Sequence, residues 1–143
     1  MNEGDGDWLT HGQGNRPQLS WSLSTEAPLV ALRLARETGE VLAADAIGGL
    51  YHIDRTGRIA NITRGPSPIR AIAWSDTGAG GIALVGDEKL YWFNRRLLFQ
   101  GWLEHPEPVL GLALEAHGNY AAVSLSSAST IIYDANRRKV RRF

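Results

Sequence analysis

The chain has 143 residues, 15 basic and 15 acidic, so its formal net charge is zero; 43% of its residues are apolar and none is cysteine. That length suits one domain able to bury a sizeable core. The charge balance argues against a generic polyanion binder. No apolar run reaches the length of a transmembrane helix, and the missing cysteines exclude disulfides, thiol catalysis and cysteine-based zinc sites together.

Residues 1–17 read as a flexible acidic, glycine-rich tail. Its opening, MNEGDGDWLTHGQG, reverses the basic-then-apolar order of a secretory signal, so a cytoplasmic location is expected. Glu3, Asp5 and Asp7 interleave with glycine like half a calcium loop, but the closing glutamate is missing and a solvated tail fits better. Trp8 is the tail residue suited to anchor a partner. Residues 18–24, QLSWSLS, alternate Leu19, Trp21 and Leu23 with polar neighbours and read as a leading strand with one apolar side.

Three units of similar plan follow, at about 25–64, 65–104 and 105–143. The first opens at Pro28 with PLVALRLA, turns at RETGE, and continues as VLAADA, LYHID and GRIANI. The second opens at Pro68 with PIRAIAW, turns at SDTGAGG, and continues as IALVG, LYWFN and LLFQGWL. The third opens at Pro108 with PVLGLAL, turns at EAHGN, and continues as YAAVSL, TIIYD and KVRRF. The opening prolines are spaced by 40, and so are Asp54, Asn94 and Asp134, which close the third stretch of each unit. Four short strands in about 40 residues, separated by turn signals, are the signature of a propeller blade. Helices are excluded because VALRLA and AIAW alternate at period two and glycine or proline interrupts every candidate.

In the first strands, Ala31, Ala71 and Gly111 share one face with Arg33, Ala73 and Ala113. Leu32, Ile72 and Leu112 share the other with Leu34, Trp74 and Leu114. One face is small and the other large, as stacked blades require, with Arg33 expected near an exposed edge. The expected core is therefore Leu32, Leu34, Ile72, Trp74, Leu112 and Leu114. Ala31, Ala71 and Gly111 mark close sheet contacts, and the first strands lie innermost.

The period, the strand pattern and the endings Ile53-Asp54, Phe93-Asn94 and Tyr133-Asp134 resemble the WD40-type β-propeller family over about residues 17–143. The endings look like degenerate forms of the Trp-Asp ending. No Gly-His pair precedes the first strands; the matching places read Thr25-Glu26-Ala27, Gly65-Pro66-Ser67 and His105-Pro106-Glu107. The resemblance implies an all-β partial β-propeller of three four-stranded antiparallel blades plus the leading N-terminal strand. Propellers close with about four to eight blades, so three leave two apolar sheet faces without neighbours. In closed rings of the resembled family such a leading strand completes the last blade, yet KVRRF already supplies that strand here. The expectation is an N-terminal piece of a longer propeller or, second, copies that complete one another.

Little in the sequence carries chemistry. His11, His52, His105 and His117 form no metal-ligand spacing, and no nucleophile elbow, P-loop or dinucleotide fingerprint occurs. His52 reads as packed on a blade face and His117 as a turn residue. Ser124, Ser126, Ser127 and Ser129 read as a polar hairpin, the Gly78–Gly81 run as a flexible one, and Asn61-Ile62-Thr63 as strand. No catalytic residue, metal or cofactor is expected. The leading expectation is a non-catalytic protein-interaction scaffold, without membrane contact and with self-association or further blades. Its rival is one lobe of a ligand-binding or enzymatic propeller, with Asp45, Asp87 and Glu88 as rim acids. Arg137, Arg138, Arg141 and Arg142 in ANRRKVRRF can grip an acidic partner or protect an edge strand, and the neutral balance disfavours nucleic acid.

Overall fold

A computed structural model describes residues 17–143. Its regular elements are twelve strands in three antiparallel sheets of four, each sheet following chain order. Blade 1 holds β1 (Leu29–Leu34), β2 (Val41–Asp45), β3 (Gly49–Ile53) and β4 (Ile59–Arg64). Blade 2 holds β5 (Ile69–Trp74), β6 (Gly80–Val85), β7 (Lys89–Asn94) and β8 (Phe99–Glu104). Blade 3 holds β9 (Val109–Leu114), β10 (Tyr120–Leu125), β11 (Thr130–Asp134) and β12 (Lys139–Arg142). This is the expected partial propeller. Neighbouring blades approach most closely where β5 lies between β1 and β9, so the first strands are the inner ones.

The sequence period reaches down to backbone detail. Register slips leave one extra residue in each first strand, at Val30, Arg70 and Leu110, and one in each fourth strand, at Ala60, Gln100 and Val140. Such bulges sharpen the local twist that lets flat hairpins stack as blades. The closing Asp54, Asn94 and Asp134 build the turns before β4, β8 and β12. Each side-chain oxygen Oδ1 accepts two backbone N–H bonds, from Thr56 and Arg58, from Arg96 and Leu98, and from Asn136 and Arg138, at 2.9–3.1 Å. Each turn needs a left-handed residue, filled by Gly57, Leu97 and Arg137 at φ of 88°, 62° and 63°. Leucine is tolerated there because its side chain is fully buried.

Two apolar clusters join the blades. Leu42, Ala44 and Leu50 of blade 1 meet Ile72, Trp74 and Phe93 of blade 2. Ile82, Leu84, Leu90 and Trp92 of blade 2 meet Val123, Ile131 and Tyr133 of blade 3, flanked by Ala71, Leu112 and Leu114. At each junction a first-strand alanine of the leading blade lies opposite the large residues of the next. Ile72 and Trp74 are buried as expected, and Leu112 and Leu114 are half-buried. Leu32 and Leu34 are not core: they are 54% and 57% exposed, because their face of blade 1 has no blade against it. Arg33 is exposed, with its guanidinium turned to the Leu32 carbonyl at 2.8 Å.

The expected leading strand does not form. Residues 17–25 pair with no sheet, since β12 already completes blade 3. Instead Trp21 and Leu23 lie half-buried over Ala43, Tyr51 and Ile53 on the outer face of blade 1, while Leu19 stays 86% exposed. The end of this segment is fastened by the Arg64–Glu26 ion pair.

The junction between blades 2 and 3 supports a stability prediction. Ala71 is half-buried against the cluster that includes Leu112. Ala71→Leu is expected to cost roughly 1–3 kcal/mol through overpacking, read as a lowered midpoint in thermal or urea unfolding.

Candidate functional site

A polar cluster sits where blades 1 and 2 meet. Glu40, at the start of β2's hairpin, is 9% exposed and receives the Arg95 guanidinium from the β7–β8 turn, with Nη1 2.7 Å from Oε2. His52 in β3 is 2% exposed; its Nδ1 faces the Asn61 amide at 3.0 Å and its Nε2 lies 3.2 Å from Glu40 Oε2. With the Asn61 amide donating to Nδ1, the ring proton falls on Nε2, towards the carboxylate. The Trp74 ring packs on the imidazole at 5.5 Å. Burial pushes the Glu40 carboxyl up, but the Arg95 guanidinium bonded to it and the His52 imidazole beside it outweigh that and hold the group below its ordinary range. The group holds no nucleophile and works as an electrostatic bridge between blades. Sequence reading placed His52 on a blade face but missed Glu40 and Arg95, which lie 55 positions apart and share no motif.

Asp45 is not a rim acid. It is fully buried at the β2–β3 turn, where Oδ1 accepts the Ile47 and Gly49 N–H groups at 3.0 and 2.8 Å and Oδ2 accepts the Tyr51 hydroxyl at 2.7 Å. Its carboxylate is consumed in shaping the turn and offers nothing to a partner. The local signal was present in DAIGG, since an aspartate two and four residues before turn N–H groups commonly caps them.

Asp87 and Glu88 do come together. They line a shallow cavity of about 400 Å³ at the β6–β7 end of blade 2, with Ser67, Pro68, Lys89 and Glu104. Asp87 is exposed and 3.3 Å from the Arg70 guanidinium, and the Glu88 carbonyl accepts the His105 N–H at 2.9 Å. His105 is 5% exposed, and burial lowers its pKa. Its Nε2 stands 3.4 Å from the Tyr133 hydroxyl.

The basic residues are spread over blade 3. Arg137 is half-buried and its guanidinium crosses Gly101 of blade 2, while Arg138 is exposed at the β11–β12 turn. Arg141 covers the Phe143 ring at 5.0 Å, and Arg142 donates to Ser129 Oγ at 3.0 Å. Trp8 lies outside the described residues. Among the described residues, no three His, Asp or Glu side chains group as a metal site, and no helix is long and apolar enough to cross a membrane.

The two end faces have no neighbouring blade. Blade 1 presents Leu32, Leu34 and Ile62, the last also 57% exposed. Blade 3 presents small residues instead: the register puts Gly111, Ala113, Ala122, Ser124, Thr130 and Ile132 on one face. Two depressions of about 280 and 200 Å³ open on that side.

No family model matches the chain, and no curated protein sequence is significantly similar to it. Its fold, however, is shared with solved structures. The RRP9 WD40 repeats superpose with a TM-score of 0.69 at 14% identity, over 85% of this chain and 40% of that one. The Cps50 (Swd1) β-propeller domain of Myceliophteria thermophila gives 0.68 at 19% identity, over 89% and 42%. U3-55K gives 0.68 at 13% identity, over 85% and 40%. The fold is that of a WD40-type β-propeller, represented by three four-stranded blades. The chain spans about two fifths of the length of these structures.

Proposed function

We propose that the chain is a non-catalytic scaffold that binds protein partners, and that the uncovered faces of its end blades are the binding surfaces. The observation that carries this reading is Leu32 and Leu34 of β1 standing bare on the outer face of blade 1, each more than half exposed. Exposed apolar side chains on a rigid sheet favour association, because covering the exposed half of each contributes about 1 kcal/mol. The buried polar groups support the same reading, since Glu40, His52 and Asp45 are engaged with one another's neighbours and not with an open cleft. Association of copies, in a cytoplasmic setting, is the specific form proposed. Arg138 and Arg141 offer a secondary contact for an acidic protein surface; the zero net charge disfavours nucleic acid.

One observation favours a second reading, a propeller lobe that binds a small cationic ligand: Asp87, Glu88 and Glu104 converge on one cavity. The experiment that separates the two is light scattering of the full chain over a wide concentration range. A mass that rises with concentration is the expected result, and the mass of one chain throughout would remove self-association.

A further inference from the structure

We propose that the outer strand pair of blade 2 is a docking surface for an arginine-bearing segment of a partner protein, with Trp102 as the ring on which a guanidinium stacks. This rests on the scaffold reading in taking a protein partner, but places that partner away from the end faces. Tyr91 of β7 and Phe99 and Trp102 of β8 stand on one face of the sheet and touch one another. Trp102 stacks on Tyr91 at 6.2 Å, and Phe99 meets Tyr91 edge-on at 5.6 Å. Yet Trp102 is 53% exposed and Phe99 39%. Aromatic rings in mutual contact, two of them open to water, form a continuous apolar surface of the kind that marks an interaction site.

The chemistry of this surface selects a cation. Lys89 lies directly opposite Glu104 in the β7–β8 ladder, yet its ammonium sits over the Trp102 ring, 5.6 Å from the centroid. The chain thus already uses the ring as a cation site with a side chain of its own. Lys89 and Glu104 also line the cavity of about 400 Å³ shared with Asp87 and Glu88, so the aromatic surface continues into an acidic hollow. That lining carries three carboxylates against one lysine, and negative charge stays in excess even with Arg70 beside Asp87. A phosphate-bearing partner would be repelled there.

Arginine fits these features better than lysine. Its guanidinium is planar, weakly hydrated and forked, so it stacks flat on an indole while its N–H groups reach a carboxylate beside the ring. Lys89 holds the place: an incoming guanidinium takes the ring face, and the flexible lysine stem swings its ammonium into water. Trp102 and Glu104 are alternate residues of β8, on one face and about 7 Å apart. Alternate residues of an extended partner segment have the same spacing, so two arginines one residue apart can engage the ring and the hollow together.

Proton–nitrogen NMR titration of the full chain tests the site, followed at the tryptophan indole N–H signals and at the backbone of Glu88 and Glu104. The probe is the capped peptide Gly-Gly-Arg-Gly-Arg-Gly-Gly, beside its lysine, glutamine and leucine counterparts and free argininamide. The arginine peptide should move the Trp102 indole signal saturably and leave those of Trp74 and Trp92 in place. The lysine peptide should bind several-fold more weakly, and the glutamine and leucine peptides at least about tenfold more weakly. Trp102→Leu should weaken the arginine peptide at least about tenfold and Glu104→Gln several-fold, whereas Lys89→Ala should tighten it by vacating the ring. All three positions are exposed, so each variant is expected to keep the parent's circular dichroism. A Trp102 signal that the arginine peptide does not move, unchanged affinity in Trp102→Leu, or weaker binding in Lys89→Ala overturns the proposal. So does equal binding of the lysine or leucine peptide, or of argininamide, which would make the surface a general cation, apolar or small-cation site. Each of these failures leaves the end-face reading standing, since light scattering tests that separately.

Discussion

Trp74→Ala is expected to cost about 3–5 kcal/mol, the largest loss of any single truncation in the chain, seen as a strongly lowered denaturation midpoint. The indole is 6% exposed at the junction of blades 1 and 2, stacked on Phe93 at 6.2 Å and tilted on His52 at 5.5 Å. Its removal leaves a void beside Leu42 and Ile72 that a rigid β-sheet cannot collapse to fill. It also removes the ring packed on the His52 imidazole. Trp74→Phe is expected to lose far less, about 1 kcal/mol, because the indole N–H is buried without a partner and phenylalanine removes that defect. The ordering separates packing from polarity: an alanine variant no worse than the phenylalanine variant would mean that the blades are not held by this ring.

Asp45→Ala should follow, at about 2–4 kcal/mol. Two turn N–H groups and the Tyr51 hydroxyl lose their acceptor, and Gly49 and Tyr51 are buried. The same carboxylate predicts an acid limit. Burial raises the Asp45 pKa, but the Tyr51 hydroxyl and the Gly49 and Ile47 N–H groups outweigh that and bring it below the ordinary aspartate value. Glu40 is depressed too, against its burial, by Arg95 and His52. A carboxyl whose folded pKa lies below its unfolded one contributes stability that is complete above the unfolded value and is lost as pH falls through the folded value. Stability should therefore start to fall below the unfolded histidine value of about 6.5, because burial lowers the His105 pKa, and fall further below about pH 4 as Asp45 and Glu40 are protonated. Asp45→Asn should cost less than the alanine change and make that decline shallower, measured as urea midpoints from pH 7 to acid.

The residues that shape each blade were legible because short-range physics decides them. Strand limits follow from period-two alternation, so the stretches after Pro68 and Pro108, IRAIAW and VLGLAL, are β5 and β9. The closing Asp54, Asn94 and Asp134 cap their own turns within four residues, which is why their spacing of 40 was visible without a structure. Asp45 is held by the same local physics, with its three donors within six residues, although alone in sequence it read as a rim acid.

Which large residues are buried is a different matter, because alternation assigns a side chain to a face and not to a neighbour. Leu32 has the pattern of Ile72 and Leu112 but is exposed, since burial needs a second sheet and blade 1 has none on that side. The Glu40–Arg95 bridge likewise exists only because stacking brings a turn of blade 2 over a hairpin of blade 1. Residues 18–24 have the alternation of a strand, yet every sheet already has four strands, and hydrophobic cover of Tyr51 and Ile53 takes the place of edge pairing. The sequence by itself determined the strands, the turns and their period, through contacts a few residues long. The tertiary structure alone decided which faces meet, which charges pair between blades and which surfaces remain for a partner, because those depend on how one sheet stacks upon the next.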